Sequence, residues 1–332
     1  MKTFTRDYRI TGDYSDKFIS YFDGMKPCIL DIEATGLDPS TCKVCLVALL
    51  VQKENGIRIT QFLAENHYEE NRVLDAVMRF LKDEGIRLLI TFNGQAYDIP
   101  FINRRLEMNF SDAHIDLFNF DLYRFLRKGT DLKSRAGSMS QKSIENYYGI
   151  YSDRKDTITG RESVSLFNEY SLTGNPIIEK VILTHNREDV LQLHRLMFLS
   201  LDEPEDFDAA IALHGFPSSD GRLVIRPYIS RQARLLKICG EQLYDPVSAA
   251  FFPDENDPLY VQFNALSSSY EITAPLGKQG DIFYIDTEPL GLDLRDDPEY
   301  VNGFLIMNPR TVNSISRLIT DRIIREKLSF CF

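Results

Sequence analysis

Residues 28–38 read CILDIEATGLD, and their reading decides the fold. The apolar run Cys28-Ile-Leu leads into Asp31 and Glu33 and then breaks at Thr35-Gly36. Apolar and β-branched residues running up to a glycine predict a strand that ends in a turn. Alternate residues of a strand share a face, so the two carboxylates project together. Unpaired charge is costly to bury, so something must compensate this pair.

Working outward, KVCLVALLVQ and GIRITQFLAE follow, split by KENG. Asn55-Gly56 between two β-rich runs is a hairpin signal, so the chain is expected to open with three antiparallel strands. In residues 69–84, EENRVLDAVMRFLKDE, the residues Val73, Leu74, Val77, Phe80 and Leu81 recur at helical spacing, and Gly85 suits the stop. IRLLITFNG then reads as a short buried strand and DIPFINRRLEMN as a helix. The order βββαβα, with helical patterns continuing to about residue 200, predicts an α/β fold: a mixed sheet flanked by helices. The acidic stretch LDEPEDFDAA at 201–210 reads as a linker. The expected division is a domain at 1–200 and a smaller α+β accessory region at 201–332. That region has strand-like runs (LYVQFNALSSSYEITAPL, DIFYIDTEP) and a final helix, TVNSISRLITDRIIREKLSF. No internal repeat is visible.

With 43% hydrophobic and 26% charged residues, the 332-residue chain has a globular composition. The opening MKTFTRDYRI has no apolar leader core, and CLVALLV is too short to span a bilayer, so a cytoplasmic protein without membrane segments is expected. Five cysteines are sparse and odd in number, which argues against a disulfide framework. Cys42-Lys-Val-Cys45 lacks a second pair nearby and reads as two partly buried thiols rather than a zinc site. The net charge of −11 is uneven: residues 101–161 carry 11 Lys and Arg against 8 Asp and Glu, whereas residues 200–300 carry 7 against 19. Net acidity therefore does not exclude nucleic acid at the basic stretch.

Three separated segments carry candidate chemistry. The first holds Asp31 and Glu33. The second, TFNGQAYDIPFI, puts Asp98 where a strand gives way to a helix. In the third, THNREDVLQL, His185 and Asp189 stand four apart and share a helix face. Each alone has a plain structural reading, such as an Asp helix cap or a partly buried histidine. Together, four carboxylates at strand ends and on one helix would repel one another strongly. Two divalent cations would remove that repulsion, and a pair about 3.5–4 Å apart can clamp the attacking and leaving oxygens of a phosphodiester. Carboxylate donors suit Mg²⁺ or Mn²⁺.

These segments resemble the exonuclease motifs of the DEDD superfamily, which has the ribonuclease-H-like fold. Asp31-Ile-Glu33-Ala-Thr-Gly is similar to the family's Asp-x-Glu-Thr-x-Gly, with Ala34 in place of the first threonine. NGQAYD matches Asn-x-x-x-(Phe/Tyr)-Asp at Asn93, Tyr97 and Asp98. In the third motif one branch has tyrosine four residues before the last aspartate and the other histidine five before it. His185 stands at the tyrosine spacing, which leaves the branch open. Residues 28–200, through DLYRFLRK, QKSIENYYGI and NREDVLQLHRLM, also resemble a bacterial group of ribonuclease-H-like exonucleases related to polymerase proofreading domains.

The resemblance implies two Mg²⁺ or Mn²⁺ held by Asp31, Glu33, Asp98 and Asp189, with Asp31 bridging. It implies that His185 orients and deprotonates the attacking water. Thr35 and Leu37 would touch the terminal nucleotide through its sugar and base, and Asn93 would hold the strand near the scissile phosphate. The implied reaction is 3′–5′ hydrolysis of single-stranded nucleic acid to nucleoside monophosphates. DNA and RNA both stay open, because no motif for the 2′-hydroxyl is visible. The alternatives are a ribonuclease or oligoribonuclease-type enzyme, and a non-catalytic nucleic-acid-binding scaffold that recruits a protein partner through the acidic C-terminal region. No P-loop is present. Arg104, Arg105, Arg124, Arg127, Lys128, Lys133 and Arg135 are candidate phosphate contacts or solubilising charges. Tyr147, Tyr148 and Tyr151 are candidate stacking or packing aromatics.

Overall fold

Every side chain from Val44 to Val51 is buried, as a strand covered on both faces requires. The computed structural model describes residues 1–9, 12, 14–156 and 158–328, and the chain divides into the units Met1–Glu203 and Pro204–Phe332.

In the first unit the elements run β1 (Lys2–Tyr8), α1 (Asp16–Phe22), β2 (Pro27–Ala34), β3 (Val44–Lys53), β4 (Gly56–Leu63), α2 (Glu70–Asp83), β5 (Leu88–Thr91), α3 (Asp98–Met108) and β6 (Phe118–Asp121). The helices α4 (Leu122–Gly129), α5 (Leu132–Ala136), α6 (Gln141–Tyr147), α7 (Gly160–Thr173) and α8 (Pro176–Ser200) follow. A single sheet has the order β1-β4-β3-β2-β5-β6. β1 to β4 pair antiparallel where they meet, and β2, β5 and β6 run parallel. This is the mixed α/β sheet flanked by helices that the sequence predicts, with Glu54-Asn55 turning β3 into β4.

Two strands of the first unit escape the sequence reading. β1 is a half-exposed edge strand whose ladder is with β4, far along the chain. β6 is four residues long, too short to show a period.

The second unit starts earlier than a linker at 201–210 allows: α9 spans Phe207–His214, capped by the Asp206 side chain, which accepts from Ala209 N. The acidity of that stretch is in part a helix cap and first turn. The strands are β7 (Phe216–Pro217), β8 (Val224–Ser230), β9 (Leu235–Glu241), β10 (Ala249–Phe251), β11 (Tyr260–Asn264), β12 (Ser269–Pro275), β13 (Gly277–Gln279), β14 (Ile282–Asp286), β15 (Tyr300–Val301) and β16 (Phe304–Ile306). They form antiparallel sheets in the orders β10-β11-β12-β9-β8-β7 and β13-β14-β16-β15. α10 (Pro309–Lys327) closes the unit, and Cys331 with the last residues of the expected helix lies outside the described residues. Among the described residues no helix is long and apolar enough to cross a membrane.

Candidate active site

The site forms at the carboxyl ends of the parallel strands, where the chain leaves the sheet and side chains can face an opening. Asp31 and Glu33 lie at the end of β2. The pairing register with β3 shifts between Glu33 and Ala34, a β-bulge-like irregularity at the last pair of the ladder. Beyond it Thr35 is held by Lys43, whose N–H donates to the Thr35 hydroxyl at 2.9 Å while Thr35 N–H donates to the Lys43 carbonyl.

Asp98 arrives from β5 through a tight turn. Asn93 has φ +66°, a left-handed conformation that few residues other than glycine adopt cheaply. Gly94 packs so closely that a Cβ there would lie 2.5 Å from that of Thr91. The buried Asp121 carboxylate accepts from Asn93 N at 2.9 Å and Gln95 N at 3.1 Å, which pins the turn. Asp98 then opens α3, where a helix N-terminus favours an anion. Its Oδ1 accepts from Ile32 N at 3.1 Å, joining α3 to β2 between the two strand acids.

α8 supplies the last side. Asn175 caps it and Pro176 occupies its first position. His185 and Asp189 sit one turn apart, and Asn186 donates from Nδ2 to Asp31 Oδ2 at 2.8 Å while accepting from Gln61 of β4 at 2.9 Å. His185 Nε2 lies 3.5 Å from Glu33 Oε1 and 3.6 Å from Asp189 Oδ2.

Asp31, Glu33, Asp98, His185 and Asp189 all line one cleft of about 970 Å³. Burial raises the Asp31 carboxyl well above the ordinary range, and repulsion from Asp189, Asp98 and Glu33 adds to it. Burial pushes Glu33 to about 7, with the nearby His185 opposing. Burial likewise pushes Asp98 to about 7, against the bond from Ile32 N. For His185 burial favours the neutral ring, but the hydrogen bond to Asp156 and the charges of Asp189 and Glu33 outweigh it and raise its pKa.

This set fits divalent cations. Donor atoms of Glu33, His185 and Asp189 lie within 4.8 Å of one another. Asp31 and Asp98 add carboxylates whose charged forms are disfavoured without a counter-ion. Oxygen-rich sites of this kind suit Mg²⁺ or Mn²⁺.

The profile of the RNase_H superfamily matches residues 28–200, more than half of the chain and the segment that holds all five residues. The chain belongs to the RNase H superfamily. No curated protein matches it. Among solved structures, the family B DNA polymerase from the hyperthermophilic archaeon Pyrobaculum calidifontis is similar at 15% identity and a TM-score of 0.43, over 90% of this chain and 46% of the polymerase. The chain thus spans about half the length of that protein.

Membership of the RNase H superfamily points to a nuclease that acts on nucleic acid and uses divalent metal. Of the residues expected to touch substrate, Leu37 is 84% exposed and lines the RNase H cleft, as does Asn93. Thr35 is not among the lining residues, and its hydroxyl is engaged by Lys43 N.

The candidate phosphate contacts are mostly committed elsewhere. Arg105 is buried against Glu70, which corrects its reading as a surface cation. Arg104 pairs with Glu107, Arg127 with the Tyr123 hydroxyl, and Arg135 with Asp131, Tyr147 and Glu203. The basic residues on the cleft are Lys142 and Arg161. Tyr147 and Tyr148 pack edge to face, and the Tyr148 hydroxyl donates to Glu203. Cys45 is buried with its thiol 3.2 Å from the Glu33 carbonyl, and Cys42 is half-buried.

Sequence reasoning missed Arg154 and Asp156. They sit in an irregular stretch between α6 and α7, where no period marks a face, and only the folded chain brings them against α8.

Proposed function

We propose that this protein is a metal-dependent 3′–5′ exonuclease that removes nucleoside monophosphates from single-stranded nucleic acid. The observation that carries the reading is the convergence of Asp31, Glu33, Asp98, His185 and Asp189 from three distant segments on one cleft. Asp31, Glu33, Asp98 and Asp189 would hold the ions. Bound there, divalent ions would supply charge neutralisation at the phosphate and an acidified water.

The remaining work falls to the chain's own groups. His185 Nε2, directed between Glu33 and Asp189, accepts a proton from the water. Leu37, exposed at the rim, offers an apolar surface to the terminal base, and Asn93 positions the strand. Lys142 and Arg161 offer positive charge to phosphates on the same cleft. The acidity of residues 200–300, 7 basic against 19 acidic, would repel a phosphate backbone, so substrate is read by the first unit.

The test uses 5′-labelled single-stranded DNA and RNA with Mn²⁺ or Mg²⁺, with and without EDTA. Stepwise shortening from the 3′ end, abolished by EDTA, is expected on at least one sugar. Intact substrates of both kinds would overturn the reading.

A further inference from the structure

The two ring nitrogens of His185 face different surroundings. Nε2 looks into the cleft, whereas Nδ1 lies 2.6 Å from Asp156 Oδ2. The Asp156 side chain is 1% exposed. Its other oxygen, Oδ1, accepts from Arg154 Nε at 2.6 Å. Arg154, equally buried, also donates to Glu145 at 2.8 and 3.1 Å and to Asp189 Oδ1 at 2.5 Å. One guanidinium therefore fixes both the partner of His185 and the acid one turn beyond it. Lys142 Nζ, 3.5 Å from Asp156 Oδ2, adds a second cation.

We propose that Asp156, oriented by Arg154, is a positioning residue that holds the proton of neutral His185 on Nδ1 and leaves the Nε2 lone pair facing the cleft. An ionised carboxylate can only accept, so the nitrogen it meets must carry the hydrogen. Hydrogen bonds from Arg154 and His185 keep Asp156 ionised against its burial. The inference deepens the exonuclease reading and rests on His185 as its proton acceptor.

Asp156→Asn tests it with almost no change of shape. Arg154 Nε–H can only donate, so it selects the amide oxygen of the new side chain. The amide NH₂ then meets His185 Nδ1, which must become the acceptor, and the proton moves to Nε2. The full chain, labelled with ¹⁵N-histidine, is read by NMR on the alkaline side of the His185 titration, the signal being assigned by its loss in His185→Gln. The wild type is expected to show Nδ1–H and the variant Nε2–H. kcat should fall about 10²-fold or more with KM within about twofold.

A wild-type Nε2–H ring, an unchanged tautomer in Asp156→Asn, or an unchanged kcat would each overturn the proposal. If the variant fails to fold, the wild-type spectrum decides alone. If the wild type releases no nucleotide, the exonuclease reading falls while the spectrum still decides whether Asp156 sets the tautomer.

Discussion

Glu70 and Asp98 are both buried acids that open a helix, α2 and α3 respectively, and their surroundings could hardly differ more. Glu70 accepts from Arg105 Nε at 2.8 Å and Nη2 at 2.6 Å, from Val44 N at 2.8 Å and from Asn109 at 3.2 Å. Its charge is met by a buried cation in a two-pronged bond, and it ties α2, α3 and β3 together. Among the described residues Asp98 has only backbone N–H donors, Ile32 N among them; burial, and after it the carboxylates of Asp121 and Asp189, push it up to about 7. The protein thus can neutralise a buried carboxylate completely and does so at Glu70. That Asp31, Glu33 and Asp98 have no paired arginine or lysine among the described residues marks the cleft as a place for cations from outside.

Removing either acid should separate these roles. The largest effect is expected from Asp98→Asn, which keeps an acceptor for Ile32 N but removes a metal donor. Nucleotide release should drop below detection while the metal-free protein melts at a higher temperature, since a repelling charge is gone. A lower melting temperature would make Asp98 a scaffold acid like Glu70. His185→Ala comes next, with kcat lowered by about 10²–10⁴ in the nuclease assay. An undiminished rate would remove the imidazole from the chemistry.

Glu70→Ala should act the other way round. It strands the Arg105 guanidinium in the interior and should cost about 3–5 kcal/mol in denaturant unfolding. Folded molecules should still turn over, because no side chain of the cleft is touched. Activity lost from fully folded protein would contradict the comparison.

The smallest effect is in pH. Glu33 and Asp98 hold their protons to about pH 7 when folded, against ordinary values of 4.5 and 3.8. Between those values the folded chain binds more protons than the unfolded one, so stability falls as pH rises through that window. His185, also raised, acts with the same sign. In EDTA the melting temperature should therefore decline between about pH 5 and pH 8, and Mg²⁺ should flatten the decline by favouring the ionised acids. A flat profile in EDTA would show that the acids are compensated after all.

Much of this was legible from short-range pattern. Strands of β-rich residues around a two-residue turn, and a helix with Val73, Leu74, Val77 and Leu81 on one face, are set by periods of 2 and 3.6 that a sequence displays directly. Four of the five cleft residues were legible for the same reason: Asp31 and Glu33 alternate on a strand, and His185 and Asp189 are one helical turn apart, whereas Asp98 was legible only as the residue where a strand gives way to a helix. Arg105 was misread because a lone arginine on a helix looks alike whether it meets water or Glu70, 35 residues away. β1 was missed because it pairs with a strand distant in the chain.

What the sequence by itself determined, then, is which residues can share a face: neighbours along one element are placed by backbone geometry alone. Only the tertiary structure decided which charges are answered and which are left facing the cleft. Arg105 meets Glu70, Arg154 meets Asp156 and Asp189, and Asn186 meets Asp31, each across elements far apart in the chain. Coulomb energy and desolvation depend on distance in space rather than along the chain, so no local pattern could have announced those pairings.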